Sequence, residues 1–188
     1  MLPVLALNPQ PGDAVADLCA APGSKTMMIL EAVGPEGLVV ANDADPKRVR
    51  ALSDCLARHG RLDGAHPARC AALCVVNHGG ERLPMPERPL HDEGEAEASS
   101  IGFDRVLCDV PCSGDGTVRK DSSVLPRWTP RLGTVLHPTQ LAIALRGAEL
   151  LRVGGTMVYS TCSLNPVEDE AVVAEVRRGV SISKIGVS

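Results

Sequence analysis

The chain has 188 residues, of which 44% are hydrophobic and 22% charged, and its net charge is −4 at pH 7. This length suits one domain with a two-faced core. We expect neither a membrane span nor a signal peptide, and the acidic balance argues against a chain that binds nucleic acid unaided.

Apolar runs typical of strands alternate with runs at helical spacing, which predicts a parallel α/β sheet. The predicted strands are 14–19, 38–42, 72–76, 103–108 and 156–159. The predicted helices are 25–33, 46–59, 139–151 and 166–178. We therefore expect one core over 1–178 that lacks the last edge strands of such a sheet.

Two stretches lack core-like periodicity. Residues 83–100 are rich in Pro, Glu and Gly, so we expect a surface loop or insertion there. Residues 179–188 are expected to form an irregular tail. Basic residues cluster only locally, at 47–50 and 119–120, so an RNA-binding surface is expected outside this chain.

The chain contains seven cysteines, an odd number that suits a reducing compartment and favours the nucleus or cytoplasm over secretion. Cys70 and Cys74, with His66 and His78, come nearest to a zinc-like cluster without matching its spacing. We expect no metal. The lone Trp128 is expected in the core rather than near a target pocket.

A glycine-containing loop at 17–26 (Asp-Leu-Cys-Ala-Ala-Pro-Gly-Ser-Lys-Thr) follows the first strand and opens the first helix. Small residues there let backbone N–H groups approach a ligand. The loop is neither Gly-x-Gly-x-x-Gly nor a triphosphate loop, so hydride and phosphoryl transfer are poorly supported. Asp43 ends the second strand where a ribose would be bound, with Asp45 as the alternative. A tight turn followed by a solvated Asp would give the same spacing.

Two thiols follow strand ends, where parallel-sheet proteins place their chemistry. Cys112 comes after the fourth strand and Cys162 after the fifth. This repeated placement predicts cysteine-based catalysis, although a free cysteine is more often a small buried hydrophobe. The five other cysteines are interpreted in that way.

Three motifs carry a resemblance: 17–26, quoted above, 108–117 (Cys-Asp-Val-Pro-Cys-Ser-Gly-Asp-Gly-Thr) and 159–170 (Tyr-Ser-Thr-Cys-Ser-Leu-Asn-Pro-Val-Glu-Asp-Glu). In wording and order they resemble the NOL1/NOP2/Sun family of S-adenosylmethionine-dependent RNA cytosine-5 methyltransferases, most closely the eukaryotic branch that modifies tRNA. The resemblance implies a Rossmann-like class I methyltransferase core with helices on both faces of the sheet. It implies RNA, with tRNA favoured, as the substrate.

The resemblance also implies residue roles. Cys162 would attack carbon 6 of cytosine and Cys112 would help to release the product. Asp109 and the less certain Lys25 would contact the target base. The implied cofactor-binding residues are Cys19, Ala20, Ala21, Pro22, Gly23, Ser24, Lys25, Asp43 and Asp109.

One departure from the family stands out. After the third strand the family places an Asp that contacts the adenine region, whereas here residues 75–78 run into Gly79 and Gly80. Asn77 is a neighbour that could serve instead. The alternative hypothesis is a non-catalytic cofactor- or RNA-binding remnant, while a redox dithiol is poorly supported because no recognised dithiol motif is present.

Overall fold

The computed structural model describes residues 1–59, 71–87 and 102–179. Within these ranges five strands form one parallel sheet in the order β3-β2-β1-β4-β5. The strands are β1 Ala14–Asp17, β2 Leu38–Asn42, β3 Ala72–Val76, β4 Phe103–Asp109 and β5 Leu151–Ser160. The helices are α1 Leu2–Leu7, α2 Ser24–Val33, α3 Pro46–Arg58, α4 Pro130–Leu150 and α5 Glu170–Gly179. Short 3-10 turns lie at Gly80–Arg82, Asp115–Thr117 and Ser122–Arg127.

Helices cover both faces of the sheet, because successive strand residues point to opposite sides. Val15 and Leu107 belong to a buried cluster with side chains of α1, α2 and α3. Ala16 and Val106, their chain neighbours, belong to a second cluster with side chains of α4. A smaller cluster joins α4 to α5. The predicted α/β class is confirmed.

The strand order reverses between β1 and β4, which pair directly through Asp17 and Leu107. The next pairing, between Asp109 and Ser160, joins β4 to β5 at the same edge. In open parallel sheets a ligand crevice forms outside the carboxyl ends of the strands at such a reversal. The loops after these strands therefore share one crevice.

Most predicted elements agree with the structure to within two residues, but four differ more. The helix α1 was not predicted, β5 begins five residues before its predicted start, and α5 begins four residues after it. The helix α4 begins at Pro130 and runs through Pro138, which we expected to precede its start. A proline removes one backbone donor, and contacts of Gly133 and Gln140 on either side hold the helix against residues 165–168.

The predicted surface loop at 83–100 is described only over its first five residues. Leu83 is buried against the core, and its carbonyl accepts a hydrogen bond from Arg146 Nε at 2.7 Å. Leu83 is therefore packed, whereas Pro84 and Glu87 are exposed. Gly179, expected in the tail, ends α5. The rest of the predicted loop and tail lies outside the described residues.

Among the described residues, no helix has the length and apolar character needed to cross a membrane. The same residues contain no group of three or more His, Cys, Asp or Glu side chains that could hold a metal ion. Cys70 and His66, which belonged to the cluster weighed above, are not among them.

The helix α4 lies unusually close to the sheet at Gly147. A Cβ there would stand 2.6 Å from Cys108 Sγ and 2.9 Å from Met157 Sδ. The position therefore requires glycine for space, and the absent side chain sets the distance between α4 and the strands β4 and β5.

Candidate active site

The loop after β1 closes over the carboxyl end of the sheet and leads into α2. The Ala20 N–H donates to the Asn42 carbonyl at 2.7 Å, and the Gly23 N–H donates to the Ala20 carbonyl at 2.8 Å. Gly23 has a φ of +107°, and a Cβ there would lie 2.9 Å from Leu52 Cδ1. Only glycine tolerates both the positive φ and the lack of room for a Cβ at this position. No side chain caps the start of α2, so its first N–H groups are open to a ligand.

The structure brings the predicted cofactor residues of this loop together. They are Cys19, Ala20, Ala21, Pro22, Gly23, Ser24 and Lys25. Burial, together with the carboxylates of Asp17 and Asp43, raises the pKa of Cys19 to about 12. This thiol therefore keeps its proton and is a poor nucleophile.

Asp43 follows β2 and lies buried beneath the loop. Its Oδ2 accepts a hydrogen bond from the Ala21 N–H at 3.3 Å and lies 3.4 Å from the Arg48 guanidinium. Arg48 also donates to the Ala21 carbonyl at 2.7 Å. Arg48, which sequence analysis left in a basic cluster, thus belongs to the site. The alternative acid, Asp45, is exposed and caps α3.

Asp17, the last residue of β1, is an acid that sequence analysis did not single out. Its Oδ2 accepts a hydrogen bond from Thr26 Oγ1 at 2.8 Å, whereas its buried Oδ1 has no partner. Burial, with the nearby Asp109 carboxylate, raises the pKa of Asp17 to about 7. A buried acceptor without a donor beside an open loop suits a ligand that carries an amino or hydroxyl group.

Lys25 connects the loop to the cysteine side of the crevice. Its Nζ lies 2.6 Å from Asp109 Oδ2, and both side chains are 28% exposed. Ser160 Oγ donates to the other oxygen of Asp109 at 2.5 Å. The carboxylate is thereby fixed in orientation, and the predicted pair of Lys25 and Asp109 is in contact.

The two predicted thiols are also in contact. Cys112 Sγ and Cys162 Sγ are 3.1 Å apart, and the Cys162 N–H donates to Cys112 Sγ at 3.2 Å. Both are free cysteines, with Cys112 half-buried and Cys162 exposed. Both thiols therefore lie in loops that follow strand ends, as the sequence predicted, and they share one crevice.

The surroundings of the two thiols shift their pKa values in opposite directions. A hydrogen bond from the Cys112 thiol, aided by the positive charge of Lys25, lowers the pKa of Cys162 to about 7. Donating that hydrogen bond, together with burial, raises the pKa of Cys112. Burial raises the pKa of Cys108 well above its ordinary value. Cys162 is therefore the thiol prepared to act as a thiolate nucleophile.

A buried carboxylate, Glu168, holds the two cysteine loops together. Its Oε1 accepts hydrogen bonds from the Ser113 N–H at 2.8 Å and from Gln140 Nε2 at 3.0 Å. Its Oε2 accepts from Ser113 Oγ at 2.5 Å and Ser163 Oγ at 2.7 Å. Although burial opposes it, these donors hold the pKa of Glu168 below its ordinary value. Because Ser113 and Ser163 follow the two cysteines directly, Glu168 fixes the distance between the thiols.

Two further contacts support the Cys112 loop. Trp128 is half-buried, and its Nε1 donates to Ser113 Oγ at 3.2 Å. The expectation that Trp128 lies in the core was therefore wrong. The indole N–H finds its hydrogen-bond partner in the Cys112 loop, at the edge of the crevice. Asp115 Oδ1 accepts from the Leu164 N–H at 2.9 Å, which ties the loop to the segment after Cys162.

The segment after β3 carries the departure from the resembling family. The side chain of Asn77 donates to the carbonyls of Asp43 at 2.8 Å and Ala44 at 3.1 Å. Its amide group therefore holds the β2 loop, which disfavours the suggestion that Asn77 replaces the absent acid. The carboxylate of Glu81 lies over Gly79, since a Cβ there would stand 2.6 Å from Glu81 Oε1.

The sequence profile of the 16S rRNA methyltransferase RsmB/F family matches residues 4–181. The chain is 46% identical over 183 residues to the multisite-specific tRNA:(cytosine-C(5))-methyltransferase of Saccharomyces cerevisiae, covering 95% of this chain and 25% of that protein. It is 41% identical over 184 residues to the tRNA (cytosine(34)-C(5))-methyltransferase of Drosophila melanogaster, covering 94% and 23%. The chain thus spans about a quarter of the length of these relatives.

Solved structures show the same fold. NSun6 from Pyrococcus horikoshii, solved with the S-adenosylmethionine analogue SFG, superimposes with a TM-score of 0.74 at 26% identity, over 100% of this chain and 43% of that one. A methyltransferase homologue from the same organism gives 0.69 at 30% identity, over 94% and 48%. The expected Rossmann-like methyltransferase core is confirmed. Because the profile matches nearly the whole chain and the yeast relative is 46% identical over 95% of it, this chain belongs to the 16S rRNA methyltransferase RsmB/F family, the family its motifs resembled.

Proposed function

We propose that residues 1–178 form the catalytic core of an enzyme that transfers a methyl group from S-adenosylmethionine to carbon 5 of cytosine in RNA. The observation that carries this proposal is the contact between Cys112 Sγ and Cys162 Sγ at 3.1 Å, beside the ion pair of Lys25 and Asp109. Two thiols of opposite acidity, next to a loop suited to a cofactor, match a reaction that forms and then breaks a sulfur–carbon bond.

The loop after β1 suits S-adenosylmethionine. Gly23 leaves the start of α2 open, the orphan Oδ1 of Asp17 can accept from an amino group, and Asp43 stands at the carboxyl end of β2 where a ribose is expected. Residues 19–25, with Asp43 and Asp109, would hold the cofactor. When bound, the cofactor supplies an electrophilic methyl group on its sulfonium.

Cys162 makes carbon 5 of cytosine reactive. Its thiolate adds to carbon 6, which forms a sulfur–carbon bond and moves the ring electrons toward carbon 5 and N3. Asp109, fixed by Ser160 and Lys25, would accept a hydrogen bond from the exocyclic amino group or favour a proton at N3. Carbon 5, made electron-rich in this way, would accept the methyl group that a bound cofactor supplies, with a neutral thioether as the leaving group.

Cys112 then serves product release. While Cys162 is a thiolate, Cys112 keeps its proton and donates it as a hydrogen bond. Once the Cys162 sulfur is bonded to carbon, that charge is gone and the Cys112 thiol can release its proton to solvent. The Cys112 thiolate removes the carbon-5 proton, the sulfur–carbon bond breaks, and Cys162 leaves as a thiolate.

Transfer RNA is the favoured substrate, since the relatives from yeast and fly at 46% and 41% identity are named for tRNA. The net charge of −4 supports a further RNA-binding region outside this chain. Because the cysteines that the structure describes are free and the proposed substrate is RNA, we propose that the protein acts in the nucleus or the cytoplasm.

Covalent trapping on unmodified tRNA transcripts tests this mechanism. Cys112→Ala should accumulate an RNA adduct through Cys162 that resists denaturing electrophoresis, because addition proceeds and release fails. Cys162→Ala should form no adduct. Cys74→Ala, which removes an exposed thiol on β3, is the matched control and should behave as the wild type.

The alternative, a non-catalytic remnant, is favoured by one observation, the Gly79 that stands in place of the family's acid. It predicts that Cys112→Ala gives no adduct while the chain still binds S-adenosylmethionine. That result would overturn the catalytic proposal.

A further inference from the structure

The two thiols of the candidate active site lie close enough to react with one another. Cys112 Sγ and Cys162 Sγ are 3.1 Å apart, although 50 residues separate the two cysteines in the sequence. Both cysteines are free in the structure. A sulfur–sulfur bond is about 2 Å long, so an approach of about 1 Å would bring the two atoms to bonding distance. Because the fold forms this pair, no local dithiol motif in the sequence reveals it.

Hydrogen bonds hold the two cysteine loops together beside the thiols. Glu168 accepts from Ser113 Oγ at 2.5 Å and from Ser163 Oγ at 2.7 Å. The Gly116 N–H donates to the Cys162 carbonyl at 3.0 Å, which is a second connection between the loops. The fold therefore presents each sulfur to the other at a high effective concentration.

The thiols differ in the way that a reversibly oxidised pair requires. Cys162 is exposed, and its pKa is lowered to about 7, mainly by the hydrogen bond from the Cys112 thiol. A small oxidant can therefore reach a thiolate at neutral pH. Cys112 is half-buried and keeps its proton while Cys162 is charged. Cysteines that sense oxidants are accessible, acidic and adjacent to a second thiol, and Cys162 meets each of these conditions.

We propose that Cys162 is a site of reversible oxidation by hydroperoxides, and that Cys112 captures the oxidised sulfur in a disulfide bond that switches methyl transfer off. This inference rests on the proposed function, since the sulfur that would attack carbon 6 of cytosine is then bonded to Cys112. The same contact between the thiols thus serves catalysis when both are reduced and blocks it when they are oxidised.

The oxidation consists of two steps. The Cys162 thiolate attacks an oxygen of the hydroperoxide, so a sulfur–oxygen bond forms and the oxygen–oxygen bond breaks. The oxygen that leaves takes a proton from solvent and becomes water or an alcohol, and Cys162 becomes a sulfenic acid without charge. The Cys112 sulfur then gives up its proton and attacks the Cys162 sulfur, so the sulfur–sulfur bond forms, the sulfur–oxygen bond breaks, and hydroxide leaves with that proton as water. Two thiols have lost two electrons to one hydroperoxide, and a dithiol reverses the change by thiol–disulfide exchange.

Peptide mass spectrometry of the full chain after brief exposure to hydrogen peroxide tests the inference. The wild type should lose both free thiols, and digestion without reductant should give peptides linked between Cys112 and Cys162. Cys112→Ser keeps a hydroxyl donor but lacks the second thiol, so the sulfenic acid on Cys162 should persist and react with dimedone. Cys74→Ala, which removes an exposed thiol on β3, is the control and should form the same link as the wild type.

Transfer of labelled methyl groups from S-adenosylmethionine to tRNA transcripts is the second readout. Peroxide should abolish transfer by the wild type, and dithiothreitol should restore it to the level of the untreated chain. If the reduced chain methylates RNA, the inference is wrong when peroxide forms no link between these cysteines, when the linked chain stays active, or when dithiothreitol restores nothing. The proposed function stands in each of these cases. If the reduced chain transfers no methyl group, the proposed function fails and the switch fails with it.

Discussion

The sulfur of Cys112 contacts Cys162 twice, at 3.1 Å from its Sγ and 3.2 Å from its backbone nitrogen. The N–H of Cys162 favours charge on Cys112, whereas Lys25 favours charge on Cys162. The hydrogen bond from the Cys112 thiol is the main cause of the lowered pKa of Cys162, and it prevails over burial and the Asp109 carboxylate, which oppose it, so the proton resides on Cys112. One loop residue thus serves as the proton donor that makes the other a nucleophile.

Alkylation of Cys162 should report this arrangement. With a pKa of about 7, its thiolate fraction rises as pH increases through 7, so its rate of reaction with iodoacetamide should reach half its maximum near that pH. Cys112→Ala removes the hydrogen bond and should move the midpoint toward the ordinary value near 8.5. Cys112→Ser keeps a donor and should move it less. Peptide mass spectrometry identifies the alkylated residue. An unchanged midpoint in Cys112→Ala would refute the role given to Cys112.

Glu168→Gln should loosen the join between the cysteine loops. The amide is uncharged and has one acceptor oxygen in place of two, so the charge-assisted hydrogen bonds from Ser113 and Ser163 weaken, at a cost of roughly 2 kcal/mol in the free energy of unfolding. The alkylation midpoint of Cys162 should rise, because the thiols separate. Glu149→Gln, which removes a surface pair with Arg146 on α4, is the control and should cost less than about 0.5 kcal/mol. Urea titration measures the first effect. A stability loss without a shift in the midpoint would make Glu168 structural only.

Asp17 should make the protein less stable as pH rises. Its pKa is raised from 3.8 to about 7 by burial, so the folded state binds its proton more tightly than the unfolded state does. The folded state gains from that proton at low pH, and the gain is lost as pH rises from about 4 to 7. Asp17→Asn stays neutral and should be more stable than the wild type at pH 8 by a few kcal/mol, with little difference at pH 4. Thermal unfolding of both proteins across this range checks the sign, and an equal difference at both pH values would contradict it.

The sequence predicted what depends on strand ends and local turns. Cys112 and Cys162 could be placed together because the carboxyl ends of parallel strands share one edge. The loop around Gly23 could be recognised because its small residues are contiguous. Asp43 could be placed because it ends a clear strand.

What depends on long-range packing was not predictable. Nothing local shows that Glu168 turns back to join Ser113, 55 residues away. From the sequence, Pro138 predicts the start of a helix, because a proline is unfavourable inside one. The contacts of Gln140 with Pro111 and Glu168, which hold this part of α4, are not visible in the sequence. The six-residue helix α1 was too short for a periodic pattern.

The close approach of α4 to the sheet at Gly147 links the position of this helix to the candidate active site. The same helix that lies against Cys108 and Met157 near its C-terminal end carries Gln140, two turns earlier, which donates to Glu168. A methyl group at position 147 would clash with the side chains of Cys108 and Met157. We therefore expect α4 to shift away from the sheet and Gln140 to move with it. Activity lost through a substitution at this buried glycine would come from displacement of α4, transmitted through Gln140 and Glu168 to the loops that carry the thiols.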